Sequence, residues 1–208
     1  VDDRVDGVDA VVNLVALSPL FEPEGGNRMH DRVRAKGDTE AVVRESDLDW
    51  TIFRPSVVFG DGGEFVPFTK RLKRLFAPGV PLYPLPGGGE TRFQPIYVAD
   101  LVPMIAAAVT EAGHVGETYE VGGPETLTLR RVTELVYAAE RRDVTVVPLP
   151  MPLAKAGLSV LGAVPGFPMG LDQYRSLRFD NTTADNDVAA FGVGPGDLTT
   201  LSAYLGVA

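Results

Sequence analysis

The apolar positions of this chain form short continuous runs that are separated by amphipathic or polar segments. Val8 to Leu17 and Trp50 to Phe59 are nearly unbroken apolar runs, which is typical of parallel strands buried on both faces. Between them, Arg28 to Ser46 carries apolar residues at the spacing of a half-exposed helix. This order predicts a βαβ unit. Its second strand should end near Arg54, because the next residue is Pro55, which cannot donate to a ladder.

The rest of the chain also alternates between strand and helix patterns, which predicts an α/β fold. Asp100 and Thr128 precede apolar periodic runs and are the expected helix N-caps. Gly87 to Gly89 is expected to be a mobile loop, and Gly122-Gly123 a turn between a strand and a helix. The predicted elements, in chain order, are a basic amphipathic helix at Phe65 to Phe76, a strand at Phe93 to Val98, a helix at Asp100 to Thr110, a strand at Glu117 to Val121, a helix at Leu129 to Arg141, a strand at Val144 to Val147, and helices at Pro152 to Leu161, Asp185 to Phe191 and Thr199 to Leu205.

The charge balance argues against several classes of function. The 208 residues include 28 acidic and 19 basic side chains, giving a net charge of −9. A nucleic-acid partner is not expected, because no basic face is visible. The chain has no cysteine, so disulfides and thiolate metal sites are excluded. His30 and His114 are its two histidines and stand far apart, so no metal site is expected.

The basic residues are mostly arginine, since lysine occurs only at Lys36, Lys70, Lys73 and Lys155. A surface rich in acid and poor in lysine is typical of proteins from a high-salt cytoplasm, although an ordinary acidic cytosolic protein is the alternative. The most apolar stretch, Pro150 to Pro168, is interrupted by Lys155 and by glycines, so no transmembrane segment is expected. The start of the chain lacks the apolar core of a signal peptide. We therefore expect a cytoplasmic protein.

Four segments, in this order, resemble the extended and atypical short-chain dehydrogenase/reductase family, which belongs to the NAD-dependent epimerase/dehydratase superfamily. The similarity is greatest to the atypical branch that contains the NADH-dehydrogenase accessory subunit. It implies a Rossmann-type doubly wound parallel sheet, with its N-terminal part absent from this sequence, and a smaller C-terminal α/β substrate lobe. The four segments are the strand Val8 to Leu17, Thr51 to Gly60 (TIFRPSVVFG), Phe93 to Leu101 (FQPIYVADL) and Thr118 to Thr128 (TYEVGGPETLT).

The resemblance also implies a division of the chain. Residues 1–60 and 90–112 would form the dinucleotide-binding core, and residues 61–89 and 113–208 the substrate lobe. The family's Gly-rich phosphate loop has no counterpart in this sequence. One helix also stands where the family has a helix, a strand and a Tyr-Lys helix, which suggests a seam near Val33-Arg34.

The residues that the resemblance assigns to the cofactor lie on three segments. The backbone of Ser56 to Val58 is expected to face the nicotinamide amide. Lys36 matches the lysine of the family's Y-x-x-x-K helix, which holds the nicotinamide ribose and lowers the pKa of the catalytic tyrosine. Arg32 stands at the tyrosine position, and the alternative is a surface ion pair of Lys36 with Glu40. The expected cofactor-binding residues are Val15, Ala16, Leu17, Lys36, Pro55, Ser56, Val57 and Val58, with Lys36 as the catalytic residue.

Arg92 and Gln94 are the expected substrate contacts, because they precede Asp100 after a Gly-rich loop. In extended family members, a basic residue near this point reaches a substrate phosphate or carboxylate, for which the arginine fork is well suited. The alternative for Arg92 is an ordinary solvated surface side chain. The family's aspartate at the position of Asp100 mainly braces the loop above it.

The family resemblance leaves three functions open. The first is an NAD(P)-dependent oxidoreductase, with NADP favoured over NAD. The second is a catalytically silent, cofactor-binding structural or assembly subunit, and the third is a nucleotide-sugar epimerase or dehydratase. The apolar segment Pro150 to Pro168 favours an apolar or quinone-like small-molecule substrate, or a homodimer contact, although it is also compatible with ordinary core. The residue four positions before Lys36 distinguishes the first function from the second.

Overall fold

The computed structural model describes residues 40–76, 81–161 and 177–207. The predicted strand Val8 to Leu17, the residue Lys36 and the seam near Val33-Arg34 therefore lie outside the described residues. The strands are β1 (Thr51–Pro55), β2 (Val58–Phe59), β3 (Leu82–Pro86), β4 (Arg92–Phe93), β5 (Ile96–Tyr97), β6 (Glu117–Val121), β7 (Leu127–Thr128) and β8 (Thr145–Leu149). The helices are α1 (Phe65–Phe76), α2 (Val98–Thr110), α3 (Leu129–Ala139), α4 (Met151–Leu161) and α5 (Leu201–Leu205).

The strands β1 and β6 form a parallel pair, in register from Thr51 beside Glu117 to Pro55 beside Val121. One face of this pair packs on α2, where Leu101 and Met104 join Phe53, Tyr119 and Val121 in one hydrophobic cluster. The pair therefore contributes apolar side chains to a core beneath a helix.

The opposite face of the pair is bound to the helical residues 40–44. Arg44 donates to the Thr118 hydroxyl at 2.9 Å, and Arg54 donates to Glu40 from two nitrogens. Helical segments thus cover both faces of the parallel pair, as a doubly wound α/β sheet requires.

The predicted strand Trp50 to Phe59 is divided into two short strands. β1 continues to Pro55, one residue beyond the expected end, because the next ladder bond runs from Ser56 N to Val121 O. The chain then turns, and β2 pairs in parallel with β5 instead of with β6. The expected single strand Phe93 to Val98 is likewise two strands, β4 and β5, with Gln94 and Pro95 between them.

A second hydrophobic cluster joins β3, α1 and α3. β3 pairs in parallel with β8, which places Tyr83 opposite Val146. Tyr83 is completely buried, and its hydroxyl donates to the carbonyl of Thr69 at 3.0 Å. Val132 and Val136, four positions apart on α3, are also fully buried, so a single face of this helix forms part of the core.

Most of the predicted elements are confirmed with shifts of one to a few residues at their ends, but β3 and β7 were not predicted and two further details differ. α2 begins at Val98 and not at Asp100, and Tyr97 precedes it without a side-chain cap. Gly87–Gly89 is a 3₁₀ turn in which Gly88 and Gly89 are buried, so it is not an open loop. Its burial arises because the α3 residue Arg130 packs against Gly89 and donates to the Gly88 carbonyl at 3.2 Å.

The predicted caps and tail are otherwise close to the observed ones. The Thr128 hydroxyl accepts from Arg131 N at 3.1 Å and caps α3, as expected. In the tail, Asp187–Phe191 is a 3₁₀ helix, and Thr200 caps α5. None of the helices in the described ranges is long and apolar enough to cross a membrane.

Candidate functional site

The carboxyl ends of β1 and β6 meet other parts of the chain in a compact arrangement that we call the strand-end junction. Ser56 N donates to Val121 O, and Ile96 N donates to Val57 O, both at 2.9 Å. These bonds connect the turn after β1 to the end of β6 on one side and to the start of β5 on the other. The strand-end junction comprises residues 55–57, 94–96, 121–123 and 181–183.

Gln94 lies at the centre of the strand-end junction. Its Nε2 donates to the Gly123 carbonyl at 3.0 Å. Its Oε1 accepts from the Thr183 N–H at 3.1 Å and from the Thr183 hydroxyl at 2.9 Å. Both ends of the half-buried amide are therefore engaged, and the side chain connects two segments that are distant in sequence.

The two glycines after β6 allow the backbones in the junction to approach closely. A Cβ atom on Gly123 would lie 1.7 Å from the Pro95 carbonyl oxygen, and one on Gly122 would lie 2.6 Å from Cδ of Gln94. No side chain fits in either place. Gly122-Gly123 is the expected turn, and the reason for glycine here is this close packing between segments.

The segment Leu177–Thr183, which we call the C-terminal strap, contributes its last three residues to the strand-end junction. Asn181 N donates to Arg92 O at 2.8 Å, and Asn181 O accepts from Gln94 N at 3.1 Å. The Ser56 hydroxyl also donates to Asn181 O, at 2.7 Å. The C-terminal strap is therefore fixed directly to the turn that the family resemblance assigns to the nicotinamide.

The predicted cofactor residues that the structure describes stand together at this turn. Pro55 ends β1 and is half-buried, and Ser56 is buried beneath Asn181. Val57 is part of the core, and Val58 begins β2. The remaining predicted cofactor residues, Val15, Ala16, Leu17 and Lys36, lie outside the described residues.

The two predicted substrate residues have different surroundings. Arg92 has an exposed side chain, and within the described part of the chain its guanidinium makes no ion pair. The backbone N–H of Arg92 donates to Asp180 Oδ1 at 2.9 Å. The amide of Gln94, two residues further on, is already hydrogen-bonded to Gly123 and Thr183.

Sequence patterns did not predict the tail residues that bind the backbone at the end of β6. Asn186 makes a reciprocal pair with Gly122, donating to its carbonyl at 2.9 Å and accepting from its N–H at 3.0 Å. Asp187 accepts from Glu120 N at 2.7 Å. No local pattern singles out either residue, because their partners lie 64 and 67 positions away in the sequence.

Two polar groups lie close to the sheet but outside the junction. Arg54 lies 2.6 Å from Glu40 and 3.5 Å from Glu120, and its pKa is raised, mainly by its hydrogen bond to Glu40. His114 is buried, stacks on Phe191 and lies 2.8 Å from the Tyr119 hydroxyl. Among the described residues, no group of three or more His, Cys, Asp or Glu side chains could hold a metal ion.

Comparison with known proteins gives several relatives, including a subunit of NADH dehydrogenase and a reductase. A mitochondrial NADH dehydrogenase [ubiquinone] 1 alpha subcomplex subunit 9 from Arabidopsis thaliana is 34% identical over 166 residues, which are 74% of this chain and 40% of that protein. A (4-alkanoyl-5-oxo-2,5-dihydrofuran-3-yl)methyl phosphate reductase from Streptomyces griseus is 30% identical over 137 residues, which are 64% of this chain and 44% of that protein. The chain thus spans less than half the length of these relatives. No family model matches it.

Solved structures share the fold at low sequence identity. A nucleoside-diphosphate-sugar epimerase from Staphylococcus aureus superposes with a TM-score of 0.60 at 15% identity, over 88% of this chain and 61% of that one. A human epimerase family protein solved with NADPH gives a TM-score of 0.56 at 22% identity, over 83% of this chain and 52% of that one. These similarities, together with the parallel pairing of β1 and β6, confirm the predicted Rossmann-type α/β fold.

Proposed function

Because the chain belongs to the extended and atypical short-chain dehydrogenase/reductase superfamily, we propose that it binds NAD(P) at the strand-end junction and is an oxidoreductase of the atypical type. One observation carries this proposal. β1 and β6 run parallel and in register, and Pro55-Ser56 stands where both strands end. In open α/β sheets, ligands bind outside the carboxyl ends of the strands.

The cofactor is proposed to lie with its nicotinamide amide against the backbone of Ser56 to Val58. Pro55 and the segment Val15 to Leu17 would form the neighbouring wall, and Lys36 would hold the ribose as the catalytic residue. NADP is favoured over NAD. In support, a human epimerase family protein and a dTDP-4-dehydrorhamnose reductase of the same fold were solved with NADPH and with NADP.

The proposed substrate is a small molecule with an anionic group, which Arg92 would bind through its guanidinium fork. Arg92 is exposed and free of ion pairs among the described residues, whereas the amide of Gln94 is already engaged. Gln94 would therefore hold the surrounding segments in place and would not bind the substrate itself. The name of the Streptomyces griseus relative describes a reductase of a methyl phosphate ester that carries an alkanoyl group, which fits an anionic and partly apolar ligand.

A catalytically silent subunit is the second candidate, and one observation favours it. Arg32 stands four residues before Lys36, where the catalytic tyrosine of the family would stand. Without this phenol, Lys36 would hold the cofactor but would have no acid to activate. The Arabidopsis thaliana relative, which is named as a subunit of NADH dehydrogenase, supports this alternative.

We also propose a division of the chain into two lobes, together with a location and an oligomeric state. Residues 1–60 and 90–112 would form the cofactor core, with β6 added because it pairs with β1. Residues 61–89 and the rest of 113–208 would form the substrate lobe. We also propose a cytoplasmic location, adaptation to high salt and a homodimer, with a substrate that has an apolar or quinone-like part.

The experiment that tests the proposal is a titration of the full-length protein with NADPH and NADH, followed by the fluorescence of Trp50. Trp50 directly precedes β1, whose five residues span roughly 17 Å, so energy transfer to a nicotinamide bound beyond Pro55 is expected. The expected result is a saturable quenching of Trp50 fluorescence, with a lower dissociation constant for NADPH than for NADH. A Trp50→Phe variant should not show this quenching. If the protein binds neither NADPH nor NADH, both candidate functions are contradicted. If it binds a cofactor but turns over no carbonyl substrate, the silent subunit is favoured.

A further inference from the structure

Three hydrogen bonds of the strand-end junction are made by a single side chain, that of Gln94. Gln94 is the only link there that reaches the C-terminal strap and the turn after β6 through its side chain, within the described residues. Its backbone N–H adds a fourth bond, to Asn181 O. The same carbonyl oxygen accepts the Ser56 hydroxyl at 2.7 Å, so Gln94 and Ser56 bind one atom of the C-terminal strap.

This convergence has a consequence for Ser56. Because its hydroxyl and its N–H are bonded to Asn181 and Val121, the conformation of the turn after β1 depends on where Asn181 stands. Asn181 in turn is held by backbone bonds to Arg92 and Gln94, and Thr183, two residues further along the C-terminal strap, makes two bonds to Gln94 Oε1. A chain of contacts therefore leads from Gln94 through the C-terminal strap to the turn.

The packing around Gln94 shows that its place is specified. Gly122 leaves room for the Gln94 side chain, and Gly123 offers it a carbonyl at 3.0 Å while crossing Pro95. A side chain at Gly122 would displace the Gln94 amide, and one at Gly123 would displace the Pro95 carbonyl. A solvated surface glutamine would not require such neighbours.

We infer that Gln94 is a positioning residue of the proposed cofactor site, which holds the C-terminal strap against Ser56 and so fixes the turn that faces the nicotinamide. This inference rests on the proposed function. It assigns Gln94 an indirect action through the strap, in place of direct contact with the substrate, and it adds Asn181 and Thr183 to the residues on which cofactor geometry depends.

The test compares Gln94→Ala with Asn186→Ala in the full-length protein. Asn186 is a matched control, because it also ties the tail to this sheet by side-chain hydrogen bonds, but among the described residues it bonds to Gly122 and to neither Ser56 nor the C-terminal strap. Two ligands are titrated, NADPH and 2′-phospho-ADP-ribose, which lacks the nicotinamide. Thermal unfolding of each variant reports the general loss of stability.

We expect Gln94→Ala to lower the affinity for NADPH about ten-fold, which is the effect of losing roughly one well-placed hydrogen bond. The affinity for 2′-phospho-ADP-ribose should be unchanged. Asn186→Ala should lower the melting temperature comparably and change neither affinity. Equal effects of the two variants on NADPH, or an equal loss of both ligands in Gln94→Ala, would overturn the inference. Thr183→Val removes the hydroxyl bond to Gln94 but keeps the Gln94 side chain, so it should lower the affinity for NADPH by a smaller factor. The test therefore remains decisive if Gln94→Ala does not fold.

The two proposals fail in different ways. If the wild-type protein binds neither NADPH nor NADH, the proposed function is wrong and this inference falls with it. If the wild type binds NADPH and Gln94→Ala behaves as Asn186→Ala does, only the role of Gln94 is wrong.

Discussion

Asp100 and Thr199 connect the first turn of α2 to the tail of the chain. Asp100 Oδ2 accepts from the backbone N–H of Thr199 at 2.7 Å, and Oδ1 accepts from its hydroxyl at 3.3 Å. The two residues are 99 positions apart. Asp100 also stands where the positive end of the helix dipole favours a carboxylate. It braces the tail segment just before α5 and does not cap the helix.

Replacing Asp100 with alanine should therefore lower the free energy of unfolding by about 1–2 kcal/mol, because the Thr199 N–H would lose its charged acceptor. Asp100→Asn keeps an oxygen acceptor and should recover about half of this loss. Urea unfolding at neutral pH measures both. Thr199→Val removes only the longer bond and serves as the milder control. Wild-type stability in Asp100→Ala would show that the contact contributes nothing.

Gly123→Ala should be the most damaging single methyl addition in the strand-end junction. The new Cβ would lie 1.7 Å from the Pro95 carbonyl oxygen, so the backbone must move, at a cost of about 3 kcal/mol. Gly157→Ala is the matched control. Gly157 lies within α4 and has open space around it, so alanine there should be neutral or stabilise by up to about 1 kcal/mol. Thermal unfolding of the two variants checks the difference, and similar melting temperatures would contradict the close packing at Gly123.

Local signals along the chain were enough to predict most of the elements. The apolar run before Pro55, the Thr128 cap and the 3.6-residue period of α3 each depend on neighbours within a few positions, and each was confirmed. The division at Pro55 into two strands was missed. It depends on β5, which draws Val58 and Phe59 into a different pairing.

The parts of the site that escaped prediction all depend on contacts between distant residues. Gln94 meets Thr183 across 89 positions, and Ser56 meets Asn181 across 125. No periodicity or spacing encodes such a meeting, so the motif assigns Gln94 to the substrate but does not predict its bonds to Gly123 and Thr183. The burial of Gly88 and Gly89 escaped for the same reason, because it results from packing against Arg130 on α3.

Tyr83 should make the protein sensitive to alkali. Burial, and to a smaller degree the nearby Tyr137, raise the pKa of Tyr83 well above its usual value. Above about pH 10 the unfolded chain ionises this phenol and the folded chain does not, so the stability present below pH 10 is lost as the pH rises.

Tyr83→Phe tests this directly. The variant loses the hydrogen bond to Thr69 and should be less stable at neutral pH by about 1 kcal/mol. Its free energy of unfolding should then fall less steeply than that of the wild type above about pH 10, by up to 1.4 kcal/mol per pH unit. Urea titrations between about pH 8 and about pH 11 give both slopes, and identical slopes would show that Tyr83 is not the group responsible.

Raising the salt concentration should stabilise the protein as a whole and should weaken the exposed ion pair of Arg54 with Glu40. The net charge of −9 disfavours the compact state through self-repulsion. Raising KCl from about 0.1 M to about 1 M shortens the screening length from about 10 Å to about 3 Å, so the melting temperature should rise. This outcome would support the proposed adaptation to high salt, and a melting temperature that falls with KCl would contradict it.

The pair of Arg54 and Glu40 should weaken over the same range. The two side chains lie 2.6 Å apart, with 45% and 28% of their surfaces exposed, so their coupling should be about 0.5–1 kcal/mol at low salt. A double-mutant cycle with Glu40→Gln and Arg54→Gln isolates this coupling from the other contacts of each residue. At about 1 M KCl the coupling should shrink towards zero while the wild type is more stable than before. A coupling that persists at high salt would mean that the pair is held by hydrogen-bond geometry more than by charge.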